Sequence, residues 1–240
     1  MNWKKPKAVA FDYGRTLVIE PDHNRLRGIH HLLEAVSNRG CSVPSDEAYL
    51  QARTELVASL SALNDMSIDF SEIKLMRLLF ARFGIQTDMA DAELETILWN
   101  GISSGRPTDC MAETLQELNR RGIAVAVISN AEYSAEAMKL RLKRLFPMVK
   151  FDAVITSCDY MFRKPTPLLF KGIAAHLHLR PEQIWFCGDD PHADMFGAHS
   201  VGMHGILYRK YAKKDQLIPV SLPEGCLEIP EISALLEIIS

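Results

Sequence analysis

Short apolar segments constrain the fold of this chain more than any other feature of its 240 residues. The clearest are Ala8–Phe11 (AVAF), Ala124–Ser129 (AVAVIS) and Ile184–Cys187 (IWFC), with weaker segments at Ala153–Thr156 and Gly205–Tyr208. Continuous apolar runs of this length are typical of strands that are buried on both faces of a parallel sheet. The sequence therefore predicts a sheet that is covered by helices on both sides.

Helical patterns lie between these strands in the second half of the chain. They cover Met111–Arg121, Ser134–Phe146 and Pro167–His176. A repeated order of strand, helix and strand is the pattern of a doubly wound α/β fold. We therefore expect a Rossmann-like core that is built on a parallel sheet.

Residues 18–106 interrupt that alternation. They contain four amphipathic helical patterns, roughly Asn24–Asn38, Ser45–Leu63, Ser71–Phe83 and Ala90–Trp99, and each pattern is opened or followed by Ser, Asp, Asn or Gly. The sequence predicts an all-helical domain over residues 18–106, inserted into an α/β core that is formed by residues 1–17 and 107–240.

Composition limits the partners that such a chain would bind. The net charge of −3 provides no basic field for nucleic acid, and the apolar run near the N-terminus ends after four residues at Asp12. The five cysteines are odd in number and widely spaced, which favours reduced thiols over a disulfide framework. We expect a cytoplasmic protein that acts on a small molecule and binds neither nucleic acid nor a membrane.

Polar residues that can carry out chemistry follow the predicted strands or lie in the loops between them. These residues are Asp12, Thr16, Ser129, Asn130, Lys164, Asp189 and Asp194. In an open parallel sheet, ligands bind at the carboxyl ends of the strands. The predicted fold therefore brings carboxylates, hydroxyls and one lysine together in a single crevice.

This set of groups suits phosphoryl transfer. A carboxylate approaches a phosphate only when a divalent cation and a lysine neutralise the repulsion between them. Asp12 and Asp189 can offer carboxylate oxygens to Mg²⁺, and a backbone carbonyl near Gly14 can complete the protein ligands. Asp12 would attack phosphorus and form an aspartyl-phosphate, with Lys164 between the phosphate and Asp12.

Hydrogen-bond donors to the phosphate oxygens are expected from the same crevice. Thr16 or Ser129 would donate through a hydroxyl group, and Asn130 follows Ser129 directly. The small phosphorylated substrate would thus be held through its phosphate by Thr16, Ser129, Asn130 and Lys164.

Four segments, in this order along the chain, resemble the motifs of the haloacid dehalogenase-like hydrolase superfamily. They are DYGRT at Asp12, VISN at Ser129, RKPTPLLF at Lys164 and CGDDPHADMFGA at Asp189. The resemblance implies that Asp12 is nucleophile and Mg²⁺ ligand, that Gly14 ligates through its carbonyl and that Asp189 is a further metal ligand. It also implies that Asp194 holds a metal-bound water or Lys164, and that the helical insert is a cap that largely chooses the substrate.

The sequence departs from the family pattern at Gly14 and Arg15. Phosphatases of this family usually carry a second aspartate at the first of these positions as general acid and base, and a glycine at the second. Loss of a general acid typically costs about 10²- to 10⁴-fold in rate. Either the substrate has a good leaving group or a neighbour supplies the proton, for which the nearest residues are Glu20, Asp22 and His23.

Other functions remain open on the sequence alone. Phosphonate hydrolases of the family have a small residue at this position but use a cap lysine, and Lys74 is the one lysine of residues 18–106. Dehalogenases also lack the aspartate but dispense with Mg²⁺, and the acidic GDD segment argues against them. A catalytically impaired binding or regulatory module, which keeps the metal and phosphate pocket, is the alternative from another functional class.

Overall fold

A six-stranded parallel sheet forms the centre of the molecule. The structure, a computed structural model, describes residues 3–61, 69–212 and 219–239. The sheet strands are β1 (Ala8–Phe11), β4 (Ala124–Ser129), β5 (Ala153–Thr156), β6 (Ile184–Gly188), β7 (His204–Tyr208) and β8 (Cys226–Ile229). Their order across the sheet is β5-β4-β1-β6-β7-β8, and every neighbouring pair is parallel. The predicted doubly wound α/β core is thereby confirmed.

Strand β1 lies between β4 and β6, and this position sets the site. Phe11 pairs with Val127 on one side and with Cys187 on the other. All three strands run in the same direction, so their carboxyl ends open at one edge of the sheet. The residues that follow Phe11, Val127 and Cys187 therefore meet there.

Both faces of the sheet are buried, as the apolar runs predict. Val9 and Phe11 pack into the larger apolar cluster, whereas Ala8 and Ala10 pack into the second cluster on the opposite face. Successive side chains of a strand point to opposite faces, so a strand that is covered on both sides must be apolar throughout. Helices cover the two faces: α5 (Met111–Arg120), α6 (Ala135–Leu145), α7 (Ser157–Tyr160), α8 (Pro167–His176), α9 (Gly197–His199) and α10 (Ala234–Ile238).

Among the described residues, four helices lie between the first two sheet strands in the sequence. They are α1 (Arg25–Ser37), α2 (Asp46–Ser61), α3 (Glu72–Phe83) and α4 (Asp91–Ile102). The chain leaves the core through β2 (Val18–Ile19) and returns through β3 (Arg106–Pro107), and these two strands pair with each other in antiparallel orientation. We call residues 18–106 the helical segment.

Two glycines allow α1 and α4 to pack closely. A Cβ atom at Gly28 would lie 2.3 Å from Cγ1 of Ile102, and a Cβ at Gly101 would lie 2.8 Å from Cα of Gly28. Gly101 is a weak helix former, and the predicted pattern ends earlier than the helix does, at Trp99. Packing against Gly28 keeps the helix intact to Ile102.

Most predicted boundaries agree with the structure to within one or two residues. Strand β8 was not predicted, because its alternating sequence CLEI lacks the continuous apolar run of the central strands. The predicted second helix reached Leu63, and residues 62 and 63 lie outside the described residues. In the part of the chain that the structure describes, every helix is too short or too polar to cross a membrane.

Candidate active site

Three carboxylates meet at the carboxyl edge of the sheet. Asp12, Asp189 and Asp194 are all buried, and one carboxylate oxygen from each lies within 4.8 Å of the others. Asp12 continues the β1 ladder, because its N–H donates to the carbonyl of Cys187 at 2.8 Å. The fold thus gathers residues from the first and fourth sequence motifs around one point.

Lys164 neutralises two of these carboxylates. Its Nζ lies 2.6 Å from Oδ1 of Asp12 and 2.7 Å from Oδ1 of Asp194, and it also donates to the carbonyl of Ile128 at 3.2 Å. Burial opposes the charge on the ammonium group, but the two carboxylates outweigh burial and raise the pKa of Lys164 above its usual range. Lys164 is therefore a fixed cation beside Asp12.

Arg15 neutralises the third carboxylate. Its Nε donates to Oδ2 of Asp189 at 2.6 Å, and about a third of the Arg15 side chain is exposed, against 3% of the Asp189 side chain. Burial lowers the pKa of Arg15, but the adjacent Asp189 outweighs it, so that the net pKa is raised. The arginine that replaces the family's glycine thus faces the fourth-motif aspartate.

The turn that carries Arg15 is held by backbone hydrogen bonds. The N–H of Arg15 donates to the carbonyl of Val18 at 2.8 Å, and the carbonyl of Tyr13 accepts from Leu17 and Val18. Arg15 has φ = 60°, in the left-handed region that favours glycine. The backbone therefore keeps the shape that a glycine would give while it carries a charged side chain.

The segment after β6 is shaped around Asp194. A Cβ atom at Gly188 would lie 2.1 Å from Oδ2 of Asp194, so this position requires glycine. That same Oδ2 accepts from the N–H of Asp190 at 3.0 Å. The carboxylate of Asp190 caps the following π-helical turn by accepting from the N–H groups of His192 and Ala193. Asp194 is thus held on one side by backbone and on the other by Lys164.

The predicted phosphate-binding residues lie in different places. Ser129 is buried at the end of β4 and lines the cavity above the carboxylates. Asn130 lines the same cavity and fixes the lysine segment, since its side chain makes hydrogen bonds of 2.7 and 3.2 Å with the backbone of Lys164. Thr16 is fully buried and does not line the cavity, and its Oγ1 has no hydrogen-bond partner among the described residues.

The cluster fits a divalent cation. Burial, together with the charge of Asp194, raises the pKa of Asp189 to about 6 even though Arg15 acts in the opposite direction. Burial likewise raises the pKa of Asp194 to about 6 against the effect of Lys164. These raised pKa values show that Lys164 and Arg15 do not fully neutralise the crowded carboxylates. A divalent cation would supply the missing positive charge, and carboxylate oxygens are the ligands that Mg²⁺ prefers.

A cavity of about 850 Å³ opens between the sheet edge and the helical segment. We call it the central cavity. Its floor contains Asp12 and Lys164, and its wall carries both charged and aromatic side chains. Trp99 of α4 stacks on Tyr133, with ring centroids 4.3 Å apart and planes within 8°. The cavity can therefore hold a small molecule whose phosphate reaches Asp12.

Polar contacts hold the helical segment over this cavity. They include Arg25 with Glu132 at 2.7 Å, Asp69 with Arg163 at 2.8 Å, Glu20 with Arg141 at 2.7 Å, and the Glu95 carboxylate with the N–H of Ser134 at 3.0 Å. Each pair joins a residue of the helical segment to a residue of the α/β core. The conformation described here is therefore closed.

Arg141 is fully buried, and the sequence patterns above did not single it out. It donates to Tyr13 Oη at 2.6 Å, to Asn100 Oδ1 at 2.6 Å and to Glu20 Oε1 at 2.7 Å, and its guanidinium lies 4.5 Å from the Trp99 ring centroid. One signal was available in the sequence: Arg141 occupies a position of α6 that the helical period assigns to the buried face.

Comparison with known proteins places this architecture in a family. The model of the haloacid dehalogenase-like hydrolase family matches residues 74–208, which is more than half of the chain. The matched residues include Ser129, Lys164, Asp189 and Asp194. The chain belongs to the haloacid dehalogenase-like hydrolase family. The DYGRT segment, where the sequence departs from the family pattern, lies outside the matched residues.

Curated relatives match parts of this family member. Human haloacid dehalogenase-like hydrolase domain-containing protein 3 is 30% identical over 64% of this chain and 61% of its own length. Ribulose-1,5-bisphosphate 5-phosphatase of Halopiger xanaduensis is 32% identical over 43% of this chain and 42% of its own length. Glyceraldehyde 3-phosphate phosphatase of Pyrococcus furiosus is 26% identical over 52% of each. The chain thus spans less than two thirds of the length of these relatives.

Solved structures match nearly the whole chain in fold. A phosphatase of this family from Thermococcus onnurineus superposes with a TM-score of 0.60 at 21% identity and covers 97% of both chains. A 2-haloacid dehalogenase from Pseudomonas syringae pv. Tomato superposes with a TM-score of 0.61 at 21% identity and covers 98% of both. The same fold therefore occurs in a phosphatase and in a dehalogenase, so the fold alone does not distinguish the two reactions. The residues of the site have to distinguish them.

The three residues considered as substitute acids have different surroundings. Glu20 lines the central cavity, and its carboxylate accepts from Arg141 and from Trp99 Nε1. Asp22 is not among the residues that line the cavity, and hydrogen bonds, chiefly from Ser103, lower its pKa to about 2. His23 is exposed and lines the cavity.

Proposed function

We propose that this chain is a Mg²⁺-dependent phosphohydrolase that acts on a small phosphorylated metabolite through an aspartyl-phosphate. The observation that carries the proposal is the position of Asp12 at the floor of the central cavity, 2.6 Å from Lys164 and grouped with Asp189 and Asp194. A nucleophilic carboxylate, a fixed cation and an acidic cluster are what attack on a phosphate dianion requires.

Asp12 and Lys164 perform the first step. Lys164 holds Oδ1 of Asp12, so the other carboxylate oxygen attacks phosphorus while the bond from phosphorus to the leaving oxygen breaks. Asp12, Asp189 and the Gly14 carbonyl would hold Mg²⁺. Bound there, the ion would neutralise phosphate charge and hold the phosphoryl group in line with Asp12.

The second step releases phosphate from the enzyme. Water attacks the phosphorus of the aspartyl-phosphate, the acyl phosphate bond breaks, and the Asp12 carboxylate returns with inorganic phosphate as product. Ser129 would donate to the phosphoryl oxygens in both steps, and Lys164 would stabilise the carboxylate as it leaves. Asp194 keeps Lys164 in position through its 2.7 Å ion pair.

The leaving oxygen needs a proton that Gly14 cannot give. Of the residues near the site, we propose His23 as its source, because it lines the cavity and an imidazole can donate a proton. Glu20 is less suited, since its carboxylate already accepts from Arg141 and Trp99, and Asp22 is still less suited because its pKa is lowered to about 2. Acyl and aryl phosphates leave without this help and should react fastest.

The helical segment is proposed to act as the cap domain. Its residues Glu20, His23 and Trp99 face the same cavity as Asp12, so the leaving group lies against them. The curated relatives named as phosphatases act on ribulose-1,5-bisphosphate and glyceraldehyde 3-phosphate, which are compact phosphorylated metabolites. A substrate of similar size fits a cavity of about 850 Å³.

Two other reactions are less well supported. Lys74, the lysine that a phosphonate hydrolase would need, is exposed on α3 beside Arg77 and is not among the residues that line the central cavity. A dehalogenase would not need the crowded cluster of Asp189 and Asp194 around its nucleophile. The five cysteines are free thiols, which fits the proposed cytoplasmic location.

An assay panel tests the proposal. Purified protein is incubated with Mg²⁺ or with EDTA and with acetyl phosphate, an aryl phosphate and several alkyl phosphates, and phosphate release is measured. We expect Mg²⁺-dependent release that is fastest for the first two. Asp12→Asn, which keeps the size of the side chain, should abolish release. Intact Mg²⁺ binding with no turnover of any substrate would favour a binding or regulatory module instead.

A further inference from the structure

Arg15 and Lys164 hold their carboxylates in different ways. Lys164 is buried and contacts two carboxylates and a carbonyl, so its side chain is held in one conformation. Arg15 contacts Asp189 through Nε, and about a third of its side chain faces the central cavity or solvent. Arg15 can therefore leave Asp189 without breaking the core.

The backbone fixes where the Arg15 side chain starts. The 2.8 Å hydrogen bond from its N–H to Val18 and the bridge between Gly14 and Val18 hold the turn at φ = 60°. Motion of the guanidinium is then confined to the side-chain torsions. From this start the guanidinium contacts Asp189 and borders the cavity that Asp12 also lines.

A metal ion and Arg15 compete for the same carboxylate. Oδ2 of Asp189 accepts from the Arg15 guanidinium at 2.6 Å, and Asp189 belongs to the carboxylate cluster that fits a divalent cation. A dication bound to this carboxylate would lie beside the positive charge of the guanidinium, and the two like charges repel each other strongly at such short range. One of the two cations has to move.

We propose that Arg15 is a tethered cation that exchanges with Mg²⁺ at Asp189 and that a bound phosphate group drives this exchange by accepting the guanidinium. The proposal rests on the proposed function, because it takes the carboxylate cluster to be the metal site. Without substrate, Arg15 neutralises Asp189 and weakens Mg²⁺ binding. With phosphate in the cavity, Arg15 turns to the phosphate oxygens and releases Asp189 to the metal.

Charge counting supports this coupling. The three carboxylates carry three negative charges, and Lys164 and Arg15 supply two positive ones. A phosphate dianion that binds alone is repelled by the net negative charge of the site. Mg²⁺ that binds alone is repelled by Arg15, which occupies its ligand Asp189. Bound together, each removes the obstacle to the other, and coupling between two ligands is reciprocal. Arg15 thus links metal binding to the presence of a substrate phosphate.

Direct binding measurements test the exchange independently of turnover. Mg²⁺ is titrated calorimetrically into the metal-free full-length protein, with and without inorganic phosphate, for wild type, Arg15→Gln, Arg15→Lys and Arg163→Gln. Arg163 is the matched control, because it also lines the cavity, is about one third exposed and pairs with a carboxylate outside the cluster, Asp69.

The exchange predicts a distinct pattern of Kd values. Arg15→Gln should bind Mg²⁺ about 10- to 100-fold more tightly than wild type when phosphate is absent, within the usual range of coupling between sites. Phosphate should tighten Mg²⁺ binding at least about tenfold in wild type and much less in Arg15→Gln. Arg15→Lys keeps the charge and should stay within a few-fold of wild type, as should Arg163→Gln.

The outcomes separate the two proposals. Equal Mg²⁺ affinity in wild type and Arg15→Gln, with both proteins folded by circular dichroism, overturns the exchange and leaves the proposed phosphohydrolase intact. Weaker binding in Arg15→Gln overturns it as well, because Arg15 would then support the metal. Absence of Mg²⁺ binding in every variant, with phosphate present, contradicts both the exchange and the metal-dependent function.

Discussion

Lys164 and Arg15 serve the same carboxylate cluster but differ in burial, partners and origin. Lys164 lies in a family motif, is enclosed by the core and bridges Asp12 and Asp194. Arg15 stands where the family usually has glycine, is partly exposed and forms an ion pair with Asp189. It lies in a turn and has a left-handed backbone conformation. The first cation is part of the folded core, whereas the second is attached to its edge.

This difference separates what the site needs from what is particular to this chain. A buried carboxylate without a partner is costly, so Asp12 and Asp194 depend on Lys164 for a large part of the protein's stability. Asp189 pairs with the partly exposed Arg15, which we propose that a metal ion replaces as its counter-charge. Variants at the two cations and beside them test how far the cations differ.

Replacing Lys164 should have the largest effect. Lys164→Met leaves two buried carboxylates unpaired, and we expect the free energy of unfolding to fall by about 3–5 kcal/mol. Phosphatase activity should drop by at least about 10³-fold, because the nucleophile loses its orienting cation. Urea unfolding and acetyl phosphate assays measure the two effects. A variant as stable as wild type would contradict the account of the buried cluster.

Restoring a carboxylate beside Arg15 should change substrate preference. A Cβ atom at Gly14 meets nothing within 4 Å, so Gly14→Asp fits without displacing a neighbour. We expect turnover of alkyl phosphates to rise by about 10²- to 10⁴-fold, with little change for acetyl phosphate, because only the former need a protonated leaving group. Gly14→Asn supplies the same shape without the acid. Equal gains from both variants would exclude general acid catalysis as the cause.

The carboxylate that Arg15 serves should make stability depend on pH. Burial raises the pKa of Asp189 to about 6, above its unfolded value, so the folded protein keeps a proton that the unfolded chain has already lost. The free energy of unfolding of the metal-free protein should therefore fall as pH rises from about 4 to about 6. The Asp189 contribution should be on the order of 1–2 kcal/mol.

Asp189→Asn isolates this contribution, because an amide imitates the neutral acid at every pH. The difference in unfolding free energy between wild type and this variant should change across the same pH range. A constant difference would show that Asp189 titrates normally and that the cluster does not crowd it.

Removing Arg15 should have the smallest effect on stability. Its side chain is partly exposed, so the ion pair is screened, and we expect Arg15→Gln to lose about 1 kcal/mol in EDTA. Saturating Mg²⁺ should recover that loss, because a ligand stabilises the state that binds it more tightly. Thermal unfolding with and without Mg²⁺ gives both values. A large loss that Mg²⁺ does not recover would place Arg15 with Lys164 as part of the core.

The sequence predicted the sheet because fully buried strands leave a direct mark. AVAF, AVAVIS and IWFC have no polar residue in their interiors, and the structure places all three side by side at the centre. The edge strand CLEI carries its glutamate on an exposed position, so no continuous apolar run reveals it. Strands that are buried on both faces could therefore be predicted from the sequence, whereas the partly exposed edge strand could not.

The site was only partly predictable for a related reason. Asp12 and Asp189 follow strand ends directly, and parallel topology alone brings strand ends together, whereas Lys164 lies in a loop after α7. Contacts between the helical segment and the core depend on how two bodies dock, which no local pattern records. Arg141 and Glu95 did leave a trace, since each is a charged residue on the buried face of an amphipathic helix.

Trapping the covalent intermediate tests directly whether Asp12 forms an aspartyl-phosphate. Wild-type protein is mixed with acetyl phosphate and Mg²⁺, quenched in acid within the first turnover and digested for mass spectrometry. We expect one added phosphoryl group on the peptide that contains Asp12, and none in Asp12→Asn or in EDTA. Phosphate release without any phosphorylated Asp12 peptide, or with the label on another residue, would contradict the aspartyl-phosphate mechanism.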